Sequence, residues 1–585
     1  MGSKLKQGTR FGQFVCSLGD DALVVTRCEA SESMSSLFEF RLDLLSEDDN
    51  IDFDALLGTN CCLTLGSNHS GVKRHFNGVL VEGRWAGKTN DLTSYSVVLR
   101  PWLWLLSRRT DCKIFNEKTV VDIIEEVLGN APFAKFENRL SASYQPIEYC
   151  VQYRESDFAF VSRLMEEYGI YYFFDHQDSG HTLVLCDSAS AHTPKVGGAD
   201  LSFYGTDLRS VFKEDALFSW TASRSFQSGK VALNDYDFQR PDADMVTDKQ
   251  GAAKYAHSDL ELYDYPGRYV DASRGQILTN VRLEAEQAQD KRFTGSGNAV
   301  TCCPGHVIKL KKHPEDRFND EYMVLHAHHI YQSNAYVTGA DSGDSYLGRY
   351  DFQKLDTPFR AVATTQKPLI HGPQTAVVKS EVDQDCRIKV SFHWDRQQKD
   401  SCYIRIAQRW SGAEWGDIRI PRLGMEVIVE FMEGDPDKPL ITGTVYNGDN
   451  RPPFPLPDSA SITGVKTNSF GSGYNELIFD DKSDNELVRV HAQKNLEISV
   501  EHNEDRDTKN NVTAQIGNDW LVQAKNSITF EVGQSSITMT NDGIVIKALT
   551  IDVKATANLN LESKLIGTLQ ATAPLTIKGA LVLIN

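Results

Sequence analysis

From about Tyr474 to Asn585 short alternating apolar segments recur every seven or eight residues: Ile528/Phe530/Val532, Ile537/Met539, Ile544/Ile546, Ile551/Val553, Leu559/Leu561, Leu575/Ile577 and Leu581/Leu583, with small or polar residues between them. Such a period predicts repeated strand-and-turn units, none of which can bury its own apolar face. No aromatic residue follows Phe530. A parallel β-helix made from one chain needs a wider core and longer coils than this. The pattern fits a thin rod in which three chains wind together and each covers the open edge of the next. With parallel pairing at ~4.8 Å per layer, about 14 strands per chain would give a rod of roughly 65 Å.

The preceding residues read as strands with a few helices. Phe38 to Leu44 and Tyr95 to Arg100 alternate with period two, as half-buried strands do. Val120, Ile123, Ile124, Val127 and Leu128 follow helical spacing, with Gly129 as a stop. A second helix is predicted over Asp157 to Tyr168, with Ser156 as N-cap, Phe158, Val161, Leu164, Met165 and Tyr168 as its apolar stripe and Gly169 as its end. Ile170 to Phe174 then reads as a buried strand. Further helical patterns run from Lys249 to Leu262 and from Ser273 to Ala288. After loop-like residues around Pro358 and Pro368, about five short strands between Arg387 and Tyr446 suit a small barrel. The proline-rich Arg451 to Pro457 is an extended linker. The boundaries expected are 1–370 for the first module, 371–448 for the barrel, 449–473 for the linker and 474–585 for the needle.

The 585 residues carry a formal net charge of −19, which disfavours phosphate backbones and anionic lipid as partners. The 11 cysteines are odd in number, include the adjacent pairs Cys61-Cys62 and Cys302-Cys303, and contain no CxxC. No disulfide framework is expected, and synthesis in a reducing compartment is. The first ten residues lack the apolar stretch of a secretory signal, and no run of apolar residues is long enough to span a membrane. Export, if it occurs, needs a non-standard route.

Tyr153-Arg154-Glu155-Ser156-Asp157-Phe158 and Arg163-Leu164-Met165-Glu166-Glu167-Tyr168-Gly169-Ile170-Tyr171-Tyr172 resemble the central motif of the VgrG family, the spike proteins of type VI secretion systems. So do Cys303-Pro304-Gly305-His306, Val390-Ser391-Phe392-His393-Trp394-Asp395, Ser411 to Gly416, Pro421 to Val427 and Gly434 to Pro439. The resemblance spans nearly the whole chain. It implies a mainly β fold: a phage baseplate-hub-like β-barrel base, an oligonucleotide/oligosaccharide-binding (OB-fold) barrel, and a C-terminal β-prism needle formed by three chains. It implies a homotrimer docked on the hexameric Hcp tube, capped by a PAAR-repeat protein, in contact with baseplate components and carrying effector proteins on the spike. Such a spike is assembled in the bacterial cytoplasm and then driven by sheath contraction into a neighbouring cell, with no stable membrane insertion before firing. The rival reading is a phage tailspike or receptor-binding protein, for which longer coils with aromatics and paired carboxylates on the rod would be expected.

No enzyme is expected. Some relatives carry a catalytic domain beyond the needle, and phage counterparts carry a lysozyme between barrel and needle. Here the repeats run to Asn585, and about 25 residues between Asn447 and Tyr474 are too few for a folded domain. His326 and His328 would share a strand face, but without a third ligand they read as a solvated face rather than a zinc site. Phe392-His393-Trp394-Asp395 sets a histidine near a carboxylate, but no general-base pair is read there. Asp480-Asp481 and Glu501 to Asp507 lack the EF-hand pattern. Arg387, Lys389 and Arg405 lie on barrel strands, yet Asp383, Asp385, Asp395, Glu414 and Asp417 dilute any nucleic-acid groove. No cofactor, catalytic residue or metal ligand is assigned. The one candidate site is the apolar terminus Leu581, Val582, Leu583, Ile584 and Asn585, a docking layer for the cap through open strand edges.

Overall fold

The computed structural model describes residues 5–584 apart from 9, 67–70, 90, 206–213 and 334–342. It forms two compact units, Met1–Ser459 and Ala460–Asn585.

In the first unit one large sheet makes two cores. Gly12–Val15, Asn60–Gly66, Lys73–Thr89, Leu92–Arg100, Glu39–Ser46 and Val24–Ser33 pair in that spatial order, and Val24–Ser33 pairs onward with Glu321–Ser333. Glu321–Ser333 also belongs to a ring with Asp344–Lys354, Lys291–Gly297, Ala216–Arg224, Asp200–Phe203 and His306–Lys311. The ring closes because His306–Lys311 pairs back onto Glu321–Ser333, which removes open strand edges. Strict alternation puts Phe40, Leu42 and Leu44 inside the first core, together with Phe38, Phe76, Val97 and Leu99. Leu217, Phe293, Ile308, Tyr322, Tyr350 and Phe352 fill the closed barrel.

Two helices cover the first core. Val120–Gly129 starts with a capping box, in which the Thr119 hydroxyl accepts the Asp122 N–H and the Asp122 carboxylate accepts the Thr119 N–H. It runs through Gly129 to a C-cap at Asn130, so Gly129 is not the stop that the sequence predicts. Asn130 ends the turn in right-handed geometry, for which no glycine is needed. Asp157–Tyr168 begins at Ser156, whose hydroxyl accepts the Ala159 N–H, and ends at Gly169 with φ of 72°. A side chain at Gly169 would sit in that strained backbone and meet Val281 at 2.9 Å. Besides its apolar stripe this helix buries Asp157 and Arg163.

A third helix, Ala272–Gln287, occupies its expected place. Lys249 to Leu262 is not helical. Thr247–Gln250 and Glu261–Asp264 are strands flanking Lys230–Leu233. The sheet packs on a core of Val231, Leu233, Met245 and Tyr269, while Leu260 and Leu262 stay exposed, and pairing to a distant strand overrides local helix preference.

The small barrel is built from Gln374–Val378, Arg387–Ile388, Val390–Phe392, Ile404–Arg405, Glu426–Phe431 and Pro439–Val445. Its core holds Ala376, Val378, Ile388, Val390, Phe392, Ile404, Val427, Val429 and Ile441. Ile114, Tyr149 and Val151 from the preceding module complete that core, so the two modules share buried surface.

The second unit contains two antiparallel meanders, Ile462–Asn468 with Tyr474–Asp480 and Leu487–His491, and Ser527–Val532 with Ser535–Thr540 and Ile544–Lys547. The first of these strands lies in the stretch read as linker. Pairing within the chain is antiparallel, not the parallel layering expected from the repeats, because turns of two to six residues join neighbouring strands directly. No strand is formed within the chain over 492–526 or 548–584.

Candidate assembly sites

The repeat unit presents apolar faces left exposed among the described residues. In the second meander Ile528 lies opposite Met539, Phe530 opposite Ile537, Ile537 opposite Ile546 and Met539 opposite Ile544. Period-two alternation therefore gathers seven apolar side chains, Val532 included, on one face and leaves Thr, Ser, Glu531, Val545 and Lys547 on the other. Farther along, Leu549 is 98 % exposed and Leu565 95 % exposed. The terminus behaves the same way: Leu581, Val582, Leu583 and Ile584 are 75 %, 44 %, 81 % and 85 % exposed, while Asn585 lies outside the described residues. Contiguous apolar surface of this kind marks an interaction site.

The second site is the joint between the base module and the small barrel. The Gly434 to Pro439 turn brings Asp435 and Asp437 to one side of Lys367. The Lys367 ammonium donates to Asp435 Oδ1 and to Asp437 Oδ2, each at 2.6 Å. The other oxygen of Asp437 accepts the Val151 N–H of the base at 2.7 Å. Burial alone would lower Lys367, but the two carboxylates hold it above its ordinary value. Burial likewise opposes ionisation of Asp435, and the Lys367 charge outweighs it and holds that carboxyl low. Asp437 is pushed up, because burial and the charge on Asp435 exceed the pull of Lys367. Lys438 adds a second bridge to Asp235 at 2.9 Å. Trp394 Nε1 donates to Gln374 Oε1, Gln374 Nε2 donates to Tyr153 Oη, and the Trp394 ring meets Tyr153 edge-on at 5.8 Å. An open cleft of about 710 Å³ borders this joint.

A buried charge network that the sequence does not advertise ties the two cores of the base together. Arg74 donates to both oxygens of Glu32 at 2.8 and 2.9 Å, with both side chains buried. His329 Nε2 lies 3.2 Å from Glu32 Oε1, and its Nδ1 faces the Tyr346 hydroxyl at 2.6 Å. His176 Nε2 lies 3.5 Å from Glu32 Oε2, longer than a well-formed hydrogen bond. Its Nδ1 faces the Asn77 N–H at 3.2 Å. Burial would raise Glu32, yet Arg74 and the two imidazoles hold it well below the carboxylate range. Burial pushes both His176 and His329 down, and Glu32 recovers only part of that. The only sequence signal was the density of histidine at His326 to His329. Its buried member, His329, has its partner Glu32 nearly three hundred residues away.

The remaining candidates are dispersed. His326 Nδ1 meets Ser33 Oγ at 2.7 Å, and half-buried His328 lies 3.6 Å from Glu29. Among the described residues no group of three or more His, Cys, Asp or Glu is placed to hold a metal ion. Asp395 is buried and accepts the Gln397 and Lys399 N–H groups, whereas His393 is exposed. Asp480 accepts the Ser461 hydroxyl at 2.6 Å, and 501–507 is fully exposed. Arg387 pairs with Asp383 and Asp385, Lys389 stacks over Tyr403, and Arg405 stacks over Phe238 at 4.6 Å. These cations are engaged by neighbouring carboxylates and rings.

The comparisons follow the same division. Residues 31–335 match the phage tail baseplate hub family, 374–446 the type VI secretion system/phage-baseplate injector OB domain, and 463–567 the bacteriophage T4 gp5 C-terminal trimerisation domain. The chain is 41 % identical over 515 residues to the type VI secretion system spike protein VgrG1b of Pseudomonas aeruginosa, covering 86 % of this chain and 69 % of that protein. It is 40 % identical over 511 residues to VgrG1a of the same organism, covering 85 % and 79 %. Among solved structures it resembles the E. coli c3393 protein, a component of the type VI secretion system, with a TM-score of 0.54, 19 % identity, and 74 % of this chain and 99 % of that chain covered. It also resembles a chain of the half-lidded Francisella PdpA-VgrG complex, with a TM-score of 0.55, 9 % identity, and 92 % and 88 % covered. With a hub sheet, an OB barrel and a trimerisation segment in one chain, and this identity over most of its length, the protein belongs to the VgrG family of type VI secretion system spike proteins.

Proposed function

We propose that this chain is one protomer of a homotrimeric, cell-puncturing spike and effector carrier rather than an enzyme. The observation that carries this is the repeat unit, whose apolar face and strand edges have no cover among the described residues. Three copies wound together would supply that cover, and the match to a trimerisation domain supports the number. The base would then seat on the Hcp tube, baseplate components and effectors would attach to the assembled particle, and the layer at Leu581 to Asn585 would receive a PAAR-repeat cap by strand addition. Assembly in the cytoplasm and delivery by the apparatus follow from the same reading.

Light scattering coupled to gel filtration tests it: the particle should weigh three times 65.5 kDa, and a monodisperse monomer would overturn the proposal. A variant ending at Lys578 should still trimerise and should lose capture of the cognate cap. Equal capture by both forms would move the cap site elsewhere.

A further inference from the structure

We propose that Cys16 and Cys61 form an oxidation-sensitive cross-strand dithiol, which closes to a disulfide when the protein meets a disulfide oxidant. The register carries the argument. Gly12–Val15 runs antiparallel to Asn60–Gly66, with Phe14 opposite Leu63 and Val15 opposite Cys62. Ladder pairing ends there and Cys16 bridges to Gly19, but extending the register by one residue brings Cys16 beside Cys61, and both lie in the same core. Phe14, Cys16, Cys61, Leu63 and Leu65 all point into the same apolar core, so the two thiols share a face. Directly opposed inward side chains have Cβ atoms about 4.5–5.5 Å apart. A disulfide spans about 3.5–4.5 Å between Cβ atoms, so closure needs only a small inward shift. Cys62 projects to the other face, where its Sγ lies 4.0 Å from Thr64 Oγ1 and from His75 Nδ1.

The same geometry supplies access. Gly12–Val15 is a four-residue edge strand paired with a single strand, its outer side held at Phe14 by the Gln7 amide, which accepts the Phe14 N–H and donates to the Phe14 carbonyl. Just beyond it the Gly19 N–H donates to the Cys16 carbonyl at 3.1 Å, making a tight turn. Short edge strands open at low free-energy cost. In the closed state burial pushes the Cys61 thiol up to about 12 and raises Cys16 as well, so both stay protonated and inert. On opening, the Cys16 thiolate attacks one sulfur of the oxidant and displaces a thiolate. The Cys61 thiolate then attacks the Cys16 sulfur of that mixed disulfide and releases the second thiolate. The two protein thiols lose two electrons and two protons, and the oxidant leaves as two thiols. A protein made under reducing conditions would thus staple its N-terminal edge strand on entering an oxidising compartment.

The test uses the full-length protein and oxidised glutathione as the probe. Thiol counting should show the loss of two of the eleven thiols, and peptide mapping should find one Cys16–Cys61 linkage. Hydrogen exchange at 12–15 should slow in the oxidised form and return to its starting rate on reduction. Cys62→Ser should leave the linkage intact, and Cys16→Ala, a change at the sheet edge, should abolish it. Retention of all eleven thiols, or linkage through Cys62, overturns the proposal.

Discussion

Lys367→Met asks how much the joint depends on one ammonium. Lys367 is 6 % exposed and stands 2.6 Å from both Asp435 and Asp437, whose side chains are 9 % and 20 % exposed. Methionine keeps most of the volume but leaves two carboxylates buried without their counter-charge. Removing one member of a buried ion pair costs about 3–5 kcal/mol, far more than an exposed pair is worth. The variant has a way to limit that cost: Asp437, already pushed up by burial, can take up a proton. A carboxyl whose folded pKa is raised is penalised above that pKa and relieved below it, so the deficit should shrink as the pH is lowered from neutral. Lys367→Met/Asp437→Asn should recover part of the loss, because the amide oxygen can still accept the Val151 N–H. Urea denaturation of residues 1–459, followed by far-UV circular dichroism, would measure all four corners of the cycle. A deficit below about 1 kcal/mol at neutral pH, or a double variant as unstable as the sum of the singles, would refute the claim that these charges act as one buried unit.

Four further outcomes are expected. Stability of the base should fall as pH drops below about 6.5, where His176 and His329, neutral in the folded state, bind protons more readily once unfolded. Denaturant midpoints that are flat down to about pH 5 would remove these histidines from the linkage. Ile551→Asp should block assembly, because three copies place three carboxylates near one axis at several kcal/mol each; a normal particle mass at neutral pH would place Ile551 on the outside. Deleting 460–585 should leave a folded base and barrel whose self-association is weak, and a trimer equally resistant to heat and detergent would move the source of resistance elsewhere. Thr119→Ala should cost about 1 kcal/mol by opening the capping box, read as a shift in denaturant midpoint without a change in slope.

Features legible in the sequence are those whose causes lie within a few residues. Ser156 and Gly169 bound Asp157–Tyr168 because a side-chain oxygen three residues before an orphan N–H, and a glycine able to take φ of 72°, are local devices. Strand alternation and the repeat period are local too, so a β-rich chain whose repeats leave apolar faces uncovered could be read before any contact was known. Tertiary structure decided the rest. Lys249 to Leu262 carries helical spacing, but Lys230–Leu233 between its two strands fixes it as sheet. Ile114, Tyr149 and Val151 complete a barrel core that begins more than two hundred residues later. Glu32 stays ionised in the interior only because pairing places Arg74, His176 and His329 around it. Caps and alternation are set by neighbours along the chain, whereas the cost of burying a charge depends on groups that only the completed strand register brings within hydrogen-bond reach.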